Sequence, residues 1–390
     1  MKTFATLTCL LMFSTFATAT EPLVEQSDLY VSGTEGYHTF RIPSLVISKQ
    51  GTVLAFCEGR KETRHDFGII HLVLKRSTDG GRTWGGLQMI HKEEGGKEKV
   101  TCGNPCPVVD EDTGEIHLPY CRNNDRVFVM SSKDDGLTWN QPREVTSAVK
   151  QPQWKPYGTG PGHGIQLRQG PDAGRLLIPT HHWEPGPQNG YRCQMIYSDD
   201  HGKTWELSES IPLANDATQD SNGEYYAGGE CALAEVGPGE VYLTTRCGTY
   251  AMKHNRRQAS RSHDGGITWQ PLQDDETLVA PCCHAGLVGD PRRNLVLFAN
   301  PANGPIPDWD HGRIRMTVRA SFDGGRSWPA WQMLHAGASS YSDLAVVEDG
   351  TILCLYEGGR DHRREWLRLA RFQLEWLDAG RKPTGPSDAQ

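Results

Sequence analysis

The sequence predicts an all-β fold arranged as a propeller, and two observations carry that expectation. An eight-residue pattern, Ser-x-Asp-x-Gly-x-Thr/Ser-Trp, occurs five times in the 390 residues, and continuous helical periodicity is hard to find between the copies. The copies are STDGGRTW (77–84), SKDDGLTW (132–139), SDDHGKTW (198–205), SHDGGITW (262–269) and SFDGGRSW (321–328). From Ser77 to Ser132, Ser198, Ser262 and Ser321 the intervals are 55, 66, 64 and 59 positions, too long for a helical repeat and right for one small antiparallel sheet. One copy per sheet, repeated radially, makes a propeller. The 43 Gly and 24 Pro spread along the chain suit many short strands and turns.

Each copy reads as a tight turn between two strands. Its Ser and Asp side chains bond backbone groups, its Gly supplies a left-handed residue, and its Trp buries a ring against the sheet. The preceding segments 69–76, 126–131 and 314–320 are strand-like runs rich in β-branched residues. Asp79, Asp134, Asp200, Asp264 and Asp323 are therefore assigned to turns and not to chemistry.

One closed propeller would use nearly all of the chain, so a single domain over 20–380 is expected, with a tail over 381–390. Residues 1–19 read as a secretory signal: Lys2 is the positive start, 7–16 the apolar core, and Ala17-Thr18-Ala19 a small-x-small cleavage site. No later run approaches the roughly 18 apolar residues that cross a bilayer. The expectation is an exported protein, periplasmic or secreted, with no transmembrane segment. The absence of an Asn-x-Ser/Thr sequon favours a bacterial origin. A formal net charge of −8 without a basic stripe argues against a nucleic-acid partner. Ten cysteines follow Cys9; an oxidising compartment permits pairing, while those in strand-like runs serve as small buried hydrophobes. No Cys-x-x-Cys, His-Glu-x-x-His or calcium-loop spacing occurs, so no metal and no cofactor is expected.

Phe40-Arg41-Ile42-Pro43 places an Arg at the start of an apolar strand, and the Pro blocks a ladder bond, as suits a strand beginning or an inner edge. An N-terminal Phe-Arg-Ile-Pro followed by five Asp-boxes closely resembles the sialidase (neuraminidase) family, over nearly the whole chain beyond the signal. The resemblance implies a six-bladed β-propeller in which three arginines clamp the carboxylate of sialic acid, a task for which planar guanidinium groups are suited. Arg41 matches the first. Glu230 matches the family's catalytic glutamate in Glu230-x-x-x-x-Glu235-x-x-x-Gly239, which leads through the strand 240–245 to Arg246, the second arginine. Arg313, eight residues before Ser321, matches the third; Arg315 would face the same side of its strand and is the alternative.

The resemblance makes Tyr341, in Ser340-Tyr341-Ser342-Asp343, the nucleophile and Glu230 its base. Asp66, 25 residues after Arg41, occupies the acid/base loop, with Glu62 the nearest other carboxylate. Where many relatives carry a further Asp, this chain has Ile69-Ile70-His71. Glu357 matches the residue that orients the first arginine, and 51–58 parallels 350–357, so Glu58 and Glu357 are positional equivalents. Arg60 matches a further arginine lining the sugar site. Trp154, Tyr157 and Trp309 are candidate sugar platforms, or else ordinary inter-strand residues.

The function implied is an exo-α-sialidase that hydrolyses terminal sialic acid from glycoconjugates or oligosaccharides with retention. The rivals are a trans-sialidase or a hydrolase of a related nonulosonic acid, and a non-catalytic Asp-box propeller that binds glycans. The sequence is silent on linkage preference and oligomeric state.

Overall fold

The computed structural model of the chain describes residues 24–378, apart from 94–95, 97, 188, 215–216, 218, 220–222, 224, 227, 247–254 and 304–311. The signal segment, the C-terminal tail and Trp309 lie outside the described residues.

The fold is all-β, and its strands fall where β-branched runs precede Asp-boxes. The expected segments appear as Ile70–Ser77, Arg126–Ser132 and Ile314–Ser321, and the strand before Arg246 as Glu240–Thr245. Among the described residues the strands form five open sheets, four of them successive along the chain. Thr39–Ile47, Val53–Arg60, Ile70–Ser77 and Gln88–His91 make the first. The fifth has seven strands, because the 17-residue strand Ala330–Val346 pairs with Ile314–Ser321 through its first part and with Ile352–Gly358 through its second. The N-terminal strand Glu25–Val31 completes this sheet against Trp366–Phe372.

Val53–Arg60 is buried at every residue, because neighbouring sheets cover both of its faces. Leu54 and Phe56 pack on Leu118 and Met130 of the second sheet. Similar cores join the second sheet to the third through Val127 and Ile178, the third to the fourth through Leu177 and Leu233, and the fourth to the seven-stranded sheet through Tyr242 and Phe298. Within that sheet Leu297 and Val318 meet Cys354 and Tyr356. Leu353 and Leu367 then pack on Leu45 and Val53, bringing the last strands against the first sheet.

All five Asp-boxes are turns. In the first, Ser77 Oγ donates to Asp79 Oδ1 at 2.7 Å and accepts from the Gly81 amide at 2.9 Å, while Asp79 accepts from the Thr83 amide and hydroxyl at 2.9 and 2.6 Å. The same bonds recur at Asp134, Asp200, Asp264 and Asp323. Each box Trp enters the core shared with the preceding strands, as Trp205, Trp269 and Trp328 illustrate. The core around Leu297 receives no box Trp; Trp376, on the short helix Leu374–Asp378, packs there instead.

Nine cysteines are described, all buried and all free, so the packing role holds for them and none is cross-linked. Among the described residues no helix is long and apolar enough to cross a membrane.

Candidate active site

The site gathers residues from the ends, edges and interiors of strands in several sheets. Arg41 lies near the start of Thr39–Ile47, the first strand of the first sheet, and the ladder slips between Arg41 and Ser44 because Pro43 donates no bond. Ile42 is left with φ +59°, a strained conformation for a β-branched residue. Glu357 holds that strain: its Oε1 accepts the Ile42 amide at 3.0 Å, while Arg41 donates Nε to Oε1 and Nη2 to Oε2 at 3.0 and 3.1 Å. Both side chains are buried. Glu58, the positional equivalent one sheet on, repeats the device by accepting the Asn104 amide at 2.9 Å, and Asn104 has φ +55° and precedes Pro105. Where the first sheet has Arg41, the second has Gly103, at which a Cβ would lie 2.6 Å from Glu58 Oε1. Glu58 therefore turns to its own strand and takes Arg60, through Nε and Nη2 at 2.9 and 2.7 Å.

Tyr341 sits at the centre. Its hydroxyl donates a short hydrogen bond to Glu230 Oε1, and Arg246 Nη1 donates to the phenolic oxygen and to Glu230 Oε2, each at 2.7 Å. The Arg246 amide also donates to the Glu230 carbonyl at 2.8 Å, so the strand pairing itself sets this carboxylate and guanidinium side by side. The guanidinium carbons of Arg41 and Arg313 lie 4.9 and 5.6 Å from the centre of the Tyr341 ring. Arg313 is positioned by Ser340 Oγ at 3.1 Å and the Cys282 carbonyl at 2.6 Å.

Arg315 does not share this face. The ladder slips between Ile314 and Met316, Arg315 has φ +64°, and its side chain is exposed; a bulge breaks the two-residue alternation that would have turned it inward. Glu62 is also away from the cluster, exposed and paired with Lys99 at 2.6 Å. Asp66 does reach it, accepting from Arg41 Nη1 at 3.0 Å and Arg60 Nη1 at 2.7 Å. Trp154 and Tyr157 are buried in the core around His182, which removes them as sugar platforms.

The charges decide what these groups can do. Burial raises the Tyr341 phenol well above its ordinary value despite Arg246, so no phenolate stands ready. Burial also opposes ionisation of Glu230, yet Arg246 holds its carboxyl down to about 2. Proton transfer from Tyr341 to Glu230 is therefore uphill in this arrangement. Asp66 is partly buried, which disfavours its charge, but Arg41 and Arg60 keep it below the ordinary aspartate value.

Sequence reasoning missed Ser340 and Cys282, which hold Arg313, and Arg364, which donates to the Arg64 carbonyl at 3.1 Å and faces Asp66. It also missed His284, whose ring lies 5.5 Å from that of Tyr341 and whose burial lowers it to about 3. Ser340 flanks Tyr341 in its motif with no role legible there, and the other three sit in no motif; only the folded chain brings them in. Among the described residues two groups have potential metal-ligand atoms within 4.8 Å, His91/Glu93/Cys102 and Asp110/Asp112/His201, and neither includes a residue of this cluster.

The sequence matches the BNR repeat-like domain family over residues 51–354. It is 30% identical over 383 residues to a sialidase of Micromonospora viridifaciens, covering 92% of this chain and 55% of that one. A sialidase of Bacteroides fragilis (strain YCH46) is 29% identical, with 85% and 62% covered, so the chain spans little more than half the length of these relatives. Among solved structures it resembles the Hadza microbial sialidase Hz136 with a TM-score of 0.77 at 26% identity, covering 90% of this chain and 69% of that one. It also resembles the intramolecular trans-sialidase of Ruminococcus gnavus with a TM-score of 0.72 at 18% identity, covering 90% and 98%, which bears on the fold alone. With an all-β fold, five Asp-box turns and this match along most of its length, the chain belongs to the sialidase family.

Proposed function

We propose that the protein is an exported exo-α-sialidase that removes terminal sialic acid from glycoconjugates by a retaining, two-step mechanism. The observation that carries this reading is Tyr341 hydrogen-bonded to Glu230 and Arg246 with Arg41 and Arg313 beside its ring. Arg41, Arg246 and Arg313 hold the substrate carboxylate, and Glu357 fixes Arg41 for that purpose. Tyr341 attacks the anomeric carbon as the bond to the leaving oxygen breaks; Glu230 receives the phenolic proton and Asp66 gives one to the leaving oxygen. In the second step Asp66 takes a proton from water, the water oxygen displaces Tyr341, and Glu230 returns the proton to the phenol. A neutral nucleophile suits a reacting carbon that bears a carboxylate, since an anionic one would be repelled at close range. The tyrosine nucleophile is the known exception to paired carboxylates among glycosidases.

Cores between successive groups of strands support reading the fold as a six-bladed propeller in which two blades share the strand Ala330–Val346. The pseudo-equivalence of Glu58 with Glu357, and of Asn104 with Ile42, supports the same repeat. The test of function is release of the fluorophore from a fluorogenic α-sialoside by the purified protein, beside other glycosides. Release from the sialoside alone is expected; no release from it, or equal release from all, contradicts the proposal.

A further inference from the structure

Arg41 has a carboxylate on either side. Glu357 takes Nε and Nη2, and Asp66 takes Nη1 at 3.0 Å. Asp66 spends one oxygen, Oδ1, on both Arg41 and Arg60, and its side chain is 59% exposed on the loop between Val53–Arg60 and Ile70–Ser77. The two cations differ in their bonding. Both are buried, but Arg41 faces Tyr341, whereas Arg60 is fixed by Glu58 and additionally by the Arg64 carbonyl at 2.7 Å.

We infer that Asp66 stands in for the substrate carboxylate on Arg41, that an incoming carboxylate displaces it, and that the displaced side chain takes a proton from solvent while Arg60 keeps it in reach of the leaving oxygen. The inference rests on the sialidase reading and deepens it: Arg60 becomes a positioning residue for the acid. Two carboxylates on one edge of Arg41 would repel one another. A general acid must also carry its proton when substrate is bound, and Asp66 in its present contacts is held in the charged form.

The charged groups around Asp66 are Arg41 from its own sheet, Arg60 at the end of the next strand, and Arg364 from the loop before Trp366–Phe372, with Glu58 and Glu357 behind the first two. A ligand carboxylate neutralises Arg41 and adds a negative charge, and both changes raise the Asp66 value. Between the low value of the free protein and the higher value of the complex, binding must therefore take up protons; well above both it takes up none.

Isothermal calorimetry of the full chain with a 2,3-unsaturated sialic acid analogue, in two buffers of different ionisation enthalpy at about pH 5, above the ordinary aspartate value, counts those protons. The expected result is uptake approaching one proton per ligand, abolished in Asp66→Asn. Binding without uptake, or with equal uptake in the variant, overturns the inference and leaves the sialidase reading intact. Failure of the analogue to bind overturns the reading and the inference with it. Arg60→Gln removes the cation bonded to Asp66 and leaves only the more distant Arg364, so the alkaline limb of kcat should rise by about one pH unit or more, with Arg60→Lys restoring its position. A reduced kcat with an unmoved limb would show that Arg60 only supports the fold.

Discussion

Arg246 donates to the phenolic oxygen of Tyr341 at 2.7 Å. This cation touches the oxygen proposed as the nucleophile, and the same nitrogen also donates to Glu230, the carboxylate proposed as its base. In the proposed mechanism Arg246 would stabilise charge on either oxygen while the proton passes between them, in a buried setting where such interactions are strong.

Replacing Arg246 with Lys keeps a charge and loses the planar fork. The expected effect is a fall in kcat/KM of more than about tenfold, or some 1.4 kcal/mol. Steady-state kinetics on a fluorogenic sialoside measure it, and a smaller loss removes Arg246 from the clamp.

Glu357→Gln tests the support behind Arg41. The charged oxygens of Glu357 hold both Arg41 and the strained amide of Ile42, so kcat/KM should fall at least about tenfold and the melting temperature should drop as well. An unchanged KM and melting temperature would mean that Arg41 is held by its other contacts.

The Asp-boxes and the acid loop separate stability from turnover. Asp264→Ala removes the bonds of a turn and should cost about 1–3 kcal/mol of stability with little change in kcat per folded molecule. Asp66→Ala, on an exposed loop, should do the reverse. Thermal melts and kcat measured on both variants decide the matter, and a well-folded but inactive Asp264→Ala protein would overturn the structural assignment.

Acid should unfold the protein through these same turns. Hydrogen bonds from the box Thr to Asp134, partial burial outweighed by such bonds at Asp200, and likewise from the box Ser at Asp323, leave each carboxyl at about 2. Their folded values lie below the unfolded value near 4, so their stabilisation is complete above about pH 4 and is lost as pH falls towards about 2. Denaturant titrations across that window should show a steep decline, flattened in Asp323→Asn; parallel curves for the two proteins would contradict this.

The repeat was the most legible feature, because the Ser-x-Asp-x-Gly-x-Thr/Ser-Trp turn is local chemistry that each copy completes within itself. The pairing of Arg41 with Glu357 was implied by the family resemblance, and the parallel segments 51–58 and 350–357 made Glu58 and Glu357 legible as carboxylates at equivalent strand ends. Arg313 and Arg315 were not separable, because alternation along a strand assumes an unbroken ladder and the chain has a bulge there. The merging of strands into a seven-stranded sheet was hidden for a similar reason: Ala330–Val346 passes from one set of partners to another with no turn residues to mark the change. Arg60 and Asp66 could be named but not joined, since their contact depends on how the loop folds back.

The central claim is that Tyr341 forms the covalent intermediate, and trapping that intermediate tests it most directly. A 2,3-difluoro sialic acid should label the protein with one sialosyl group per active site by slowing release of the intermediate, and peptide mapping by mass spectrometry locates the bond. The account predicts the label on the Tyr341 oxygen and none on Tyr341→Phe. A label on any other residue, Glu230 included, would contradict it even if sialidase activity were established.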